Sequence, residues 1–121
     1  MSKKTVVMGA SPNPGRYSYL ATNMLREYGH ETIPLGIRKG SIQEAEIITD
    51  WPEVVEDIDT VTMYVGPARQ KEVFDYVLSL KPKRIIFNPG TESEASMHKA
   101  REAGIEVEEA CTLVMLRANL F

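Results

Sequence analysis

Two short stretches hold the residues with the most evident chemistry. The first, GASPNPGRYS over residues 9–18, gathers Gly9, Ala10, Ser11, Arg16 and Ser18 between an apolar run and an amphipathic one. Glycine allows a tight turn and a close backbone approach. Two hydroxyls and a guanidinium donate hydrogen bonds, and the N–H groups that open a helix favour an anion. These are means of holding a phosphate. Pro12 and Pro14 donate no backbone hydrogen bond, so the loop is stiff. Ser11 stands where a dinucleotide-binding loop has its second glycine. The second stretch, PLGIRKGS over 34–41, ends an apolar run in Arg38 and Lys39. A site for NAD places Asp or Glu there, to accept from ribose hydroxyls. Two cations instead suit a ribose that carries its own phosphate. Two ligands meet that description: NADP with its 2′-phosphate, and coenzyme A with its 3′-phosphate.

Two further turns complete the set. In YVGPARQ (64–70), Tyr64 and Val65 can lie along an adenine or a pantetheine arm, and Gly66 and Pro67 permit close approach and start a helix. In FNPGTES (87–93), Asn88, Pro89 and Gly90 form a turn toward the same cleft, and Thr91 with Glu94 makes a capping box. Cys111 reads as a small apolar filler, and His30 and His98 as ordinary surface residues. No paired carboxylates, metal-ligand spacing or nucleophile elbow is found, so a binding module rather than an enzyme is expected.

These turns must be held by regular elements. Five β-rich runs recur: TVVMG (5–9), ETIPLG (31–36), DTVTMYV (59–65), KRIIFN (83–88) and GIEVEEA (104–110). Unbroken apolar runs suit strands covered on both faces. Between them lie helical periods. Tyr17, Leu20, Ala21, Met24, Leu25 and Tyr28 fall on one stripe that Gly29 ends. A helix from near Pro67 carries Val73, Phe74, Val77 and Leu78, and ESEASMHKAREAG (92–104) has acids first and bases later, in accord with the helix dipole. A short helix is expected around WPEVVED (51–57), capped by Asp50. Alternation with short connections predicts a Rossmann-like three-layer α/β sandwich. Its expected sheet is five-stranded and parallel, with the strands, numbered along the sequence, in the order 3-2-1-4-5. Ligands bind such sheets beyond the carboxyl ends of the strands.

The totals fit one domain over residues 1–121. Apolar and charged fractions of 43% and 26% are those of an ordinary globular protein. A net charge of −3 without a basic run argues against nucleic acid as a partner. The single cysteine, the absence of an N-terminal apolar segment and the lack of a membrane-length run place the chain, as an expectation, in the cytoplasm and off the membrane.

With GASPNPGRYSY, YVGPARQ, NPGTESE and EACTLVML on the page, the sequence resembles the small stand-alone CoA-binding-domain family. It is also similar to the CoA-binding N-terminal domain of succinyl-CoA synthetase α subunits. The resemblance spans about residues 4–117. Position by position it implies that Gly9, Ala10, Ser11, Arg16 and Ser18 hold the diphosphate. It places Leu35, Gly36, Ile37, Arg38 and Lys39 near the adenosine and its 3′-phosphate. Tyr64, Val65 and Gly66 fall on the adenine side, and Asn88, Pro89, Gly90 and Thr91 near the pantetheine. Relatives often carry VNP where this chain has PLG, and an acidic residue and a histidine where it has Met115 and Leu116. The ligase's second domain and phosphorylated histidine have no counterpart, so ligase chemistry is not expected. The resemblance favours coenzyme A over NADP, and the leading expectation is a non-enzymatic module for CoA or an acyl-CoA, a sensor or carrier acting through a protein partner. The alternatives are an NADP-binding reductase or redox regulator, and an interaction domain that has lost its ligand.

Overall fold

The computed structural model describes residues 2–121; Met1, the first residue of the domain expected over 1–121, lies outside them. In chain order the elements are β1 (Thr5–Met8), α1 (Tyr17–Glu27), β2 (Thr32–Leu35), β3 (Ser41–Ile42), β4 (Ala45–Glu46), β5 (Thr60–Met63), α2 (Pro67–Ser79), β6 (Arg84–Phe87), α3 (Glu94–Glu102), β7 (Glu106–Glu109) and α4 (Thr112–Arg117). Five strands form one parallel sheet in the order β2-β1-β5-β6-β7. Thr5 aligns with Thr32 on one side and Thr60 on the other, and Arg84 aligns with Glu106. β1, β5 and β6 are buried throughout, as runs of β-branched and apolar residues covered on both faces must be.

The two faces have different cores. Val6, Met8, Val61, Met63, Ile85 and Phe87 join Phe74, Val77, Met97 and Ala100 under α2 and α3. Val7, Leu25, Ile42, Ile47 and Leu116 pack under α1 and α4. That second side is also polar: the Thr62 and Thr112 hydroxyls meet at 2.8 Å, and Thr5 and Thr60 are fully buried. No helix among the described residues is long and apolar enough to cross a membrane.

The fold class is the expected one, but the strand order is not. The run read as the third strand, β5, lies beside β1 rather than outside β2. The outer place is held by a single residue, Ile48, whose N–H donates to Pro34 and whose carbonyl accepts from Gly36. A strand reduced to one bridge leaves no β-rich run to read, so the next run took its number. The connection also contains a small hairpin, β3–β4, turned at Gln43 with φ 54°. WPEVVED forms no helix. Its apolar residues are instead pulled onto the sheet: Trp51 and Val55 pack on the core, and the Tyr76 hydroxyl donates to the Pro52 carbonyl.

Two helix details also differ. In α1 the buried stripe is Ser18, Ala21, Thr22 and Leu25, while Tyr17, Leu20 and Tyr28 stay exposed. Small residues let α1 sit close to the sheet, and the Thr22 hydroxyl is satisfied by the Ser18 carbonyl within the helix. α3 is capped by Ser93, whose oxygen accepts from the Ser96 N–H, and not by Thr91. Thr91 is buried, with its hydroxyl and N–H both donating to the Asn88 carbonyl.

Candidate functional site

The turns after β1, β2, β5 and β6 surround a cleft of about 600 Å³ at the carboxyl ends of the strands. That is within the roughly 300–1,000 Å³ of small-molecule sites. Two glycines make its floor possible. Gly9 has φ 99°, and a Cβ there would stand 3.1 Å from the Tyr64 carbonyl carbon. A Cβ on Gly36 would collide with the Ala10 carbonyl oxygen. The first three turns therefore meet backbone to backbone.

Of the expected site residues, Gly9, Ala10, Ser11, Arg16, Ser18, Gly36, Ile37, Arg38, Tyr64, Val65, Gly66, Pro89, Gly90 and Thr91 line this cleft. Three do not. Leu35 is fully buried in the core. Lys39 is exposed beyond the rim. Asn88 lies beneath the floor: its amide N donates to the Thr62 hydroxyl and the Met63 carbonyl, and its Oδ1 accepts from the Thr112 N–H. Asn88 thus ties β5, β6 and α4 together below the cleft.

The phosphate-type loop is organised differently from a row of free amides. The Gly9 and Ala10 N–H groups both donate to the Leu35 carbonyl. The Asn13 N–H donates to the Ser11 hydroxyl, and the Gly15 N–H to Asn13 Oδ1. Among the described residues, the N–H groups of Ser11, Tyr17 and Ser18 have no partner. α1 follows Arg16 without a side-chain cap, and its first turn faces the cleft. An uncapped helix start keeps its donors and its partial positive charge for an anion. α2 also starts without a side-chain cap, after Gly66.

Charge adds to this. Three arginines line the cleft, Arg16, Arg38 and Arg69, against one carboxylate, Glu72. Arg69, Glu72 and Val73 were not foreseen, although after a helix-starting Pro67 their spacing puts them on one face. Trp51 was also missed. It lines the cleft from the non-helical connection, with its indole N–H donating to the Gly36 carbonyl at 2.9 Å. A lone tryptophan between two strands was the available signal. Burial, and then the neighbouring Cys111, push the Tyr64 phenol up to about 12, against the lowering effect of the Thr62 and Thr112 hydroxyls. Tyr64 is therefore a neutral aromatic wall at physiological pH. Cys111 itself is half-buried at the start of α4.

A model of the CoA binding domain family matches residues 3–117. A protein described only as uncharacterised has a crystal structure that is 49% identical, covers 100% of this chain and 99% of its own, and superposes with a TM-score of 0.96. A Thermus thermophilus structure is 24% identical over 99% of this chain and 91% of its own, with a TM-score of 0.84. A hypothetical protein from Pyrococcus horikoshii is 22% identical over 98% and 84%, with a TM-score of 0.85. The last two bear on the fold alone. No curated protein matches the chain.

Proposed function

The chain belongs to the CoA binding domain family, and from that premise we propose that its cleft takes coenzyme A or an acyl-CoA in a non-enzymatic binding module. The observation that carries this reading is the uncapped start of α1 opening into a cleft lined by three arginines and one carboxylate. Such a lining suits a ligand with several phosphate charges. The diphosphate sits at the start of α1, against Ser11, Arg16 and Ser18. Arg38, in the turn after β2, meets the 3′-phosphate of the adenosine. The turns at 64–66 and 89–91 flank the pantetheine arm. The single domain acts in the cytoplasm through a protein partner that reads its loaded state. A binding role is supported by the poverty of proton-transfer groups in the lining: one carboxylate, Glu72, and two phenols, Tyr17 and Tyr64, of which Tyr64 is held protonated by burial.

Titration calorimetry at one ionic strength, with CoA, acetyl-CoA, dephospho-CoA, NADP and NAD, tests this. CoA or acetyl-CoA is expected to bind most tightly, dephospho-CoA more weakly and NAD least. Tighter binding of NADP, or no heat with either CoA ligand, overturns the reading.

A further inference from the structure

Gln70 lies in the first turns of α2 and is 1% exposed. Its Nε2 donates to the Val65 carbonyl at 2.8 Å and to the Thr91 carbonyl at 2.5 Å. Val65 belongs to the turn after β5 and Thr91 to the turn after β6, and both line the cleft. One amide group therefore bridges two walls of the site from behind. The orientation is fixed by its partners, because a flipped amide would set its oxygen against two carbonyl oxygens. Its own Oε1 is then left buried without a partner.

That orphan is informative. A buried acceptor with no donor destabilises the fold. The fold itself asks only for a side chain of this length at this position, which leucine or methionine would supply without a buried, unpaired oxygen. What neither could supply is a group with two hydrogens facing two carbonyls. Below the cleft, Asn88 already ties β5, β6 and α4. Among the described residues, Gln70 is the side chain whose hydrogen bonds join the turn after β5 to the turn after β6 above that floor. We propose that Gln70 is a positioning residue: its amide sets the separation of the Val65 and Thr91 turns, and with it the width of the slot between them. Its consequence for CoA rests on the reading given above, whereas its effect on the two turns does not.

The test uses the full chain with Gln70→Leu and Gln70→Glu. Amide hydrogen exchange in the ligand-free protein reads the turns directly. In Gln70→Leu, exchange at 64–66 and 90–92 should rise about 10-fold or more, with β1 and β6 unchanged. CoA affinity should fall about 10-fold. Gln70→Glu adds a signature that a purely space-filling role cannot give. Ionised, the glutamate has no hydrogen to donate and sets a carboxylate against both carbonyls, so exchange at the two turns should be at least as fast as in Gln70→Leu. Protonated, it donates to one carbonyl, so slow exchange, and affinity relative to the parent protein, should partly recover as pH falls. Unchanged exchange at both turns in Gln70→Leu overturns the proposal, whether or not CoA binds. Should Gln70→Leu not fold, exchange in Gln70→Glu that does not change with pH overturns it instead. Failure of the parent protein to bind CoA would remove the functional reading and leave the exchange result to decide the positioning role.

Discussion

Arg38 and Lys39 are adjacent in the chain but not equivalent in space. Arg38 lines the cleft, whereas Lys39 is exposed beyond its rim. A charge-assisted hydrogen bond contributes about 1.5–3 kcal/mol, which corresponds to roughly a 10- to 100-fold change in affinity. Arg38→Ala should therefore weaken CoA by about 10- to 100-fold, and Lys39→Ala by no more than about 3-fold, as expected of a solvated charge. Crossing each variant with dephospho-CoA separates the 3′-phosphate from general effects. Arg38→Ala should lose most of the discrimination between the two ligands, and Lys39→Ala should keep it. Equal affinity of the parent protein for CoA and dephospho-CoA would show that Arg38 reads no 3′-phosphate. The pair was visible in the sequence as a basic strand end. Which member faces the cleft was not, because that depends on the path the chain takes from Gly36 into β3.

Each helix start in this fold has its own solution: among the described residues α3 is the one whose own N-cap side chain accepts from its first turn, while the first N–H of α4 is met from outside by Asn88. Ser93→Ala removes that cap and should lower stability by about 0.5–2 kcal/mol, with CoA affinity unchanged, since Ser93 lies outside the cleft lining. Denaturant unfolding and calorimetry on one sample check both halves. A loss of affinity comparable with the loss at Arg38 would mean that α3 is part of the site. The sequence offered Thr91 with Glu94 as the cap, and the pattern was sound in isolation. It failed because Thr91 turns inward onto the Asn88 carbonyl, a contact decided by the turn after β6. The same contrast runs through the other elements. Strands and helices were legible because their side-chain periods are set by burial. The rest depended on tertiary contacts that leave no period: Ile48 as a one-residue strand, Trp51 drawn to the Gly36 carbonyl, and Ser18 and Thr22 preferred to tyrosines on the inner face of α1. The loops of the cleft were legible as small-residue turns after strands. The helical wall of Arg69, Glu72 and Val73 was not legible, because side chains at this spacing on a helix read equally well as a solvated face.

At the opposite end of the sheet, the chain closes on itself around Phe121, and this sets how the whole molecule should respond to acid. Arg84, 8% exposed, donates to the Thr60 hydroxyl, Glu108 and the Phe121 carbonyl, and its guanidinium stands 4.7 Å from the Phe121 ring centroid. Lys3 donates from its side chain to the same carbonyl. The His30 ring packs on Phe121 at 5.0 Å, and its Nδ1 accepts from the Lys3 backbone N–H at 2.9 Å. An accepting Nδ1 requires that nitrogen to be unprotonated. Burial first, and then the Lys3 and Arg84 charges, hold the imidazole below its ordinary 6.5, with Asp59 opposing them. The sign of the linkage follows from that direction. Above the ordinary value His30 is neutral in both the folded and the unfolded chain, and its contribution to stability is complete. As pH falls below it, the unfolded chain takes up the proton first, so stability is lost until the folded value is passed. His30→Asn keeps an acceptor for the Lys3 N–H but does not titrate. Thermal unfolding of both proteins should therefore give parallel melting temperatures above about pH 7.5. Between about pH 7 and 5 the parent protein should fall by a few degrees more than the variant. His98, paired with Glu102 at 3.1 Å on the surface, is present in both proteins and cancels in the comparison. Melting curves that stay parallel down to pH 5 would show that His30 is protonated as readily in the folded protein as in the unfolded one, and that the Phe121 closure does not sense acid through it.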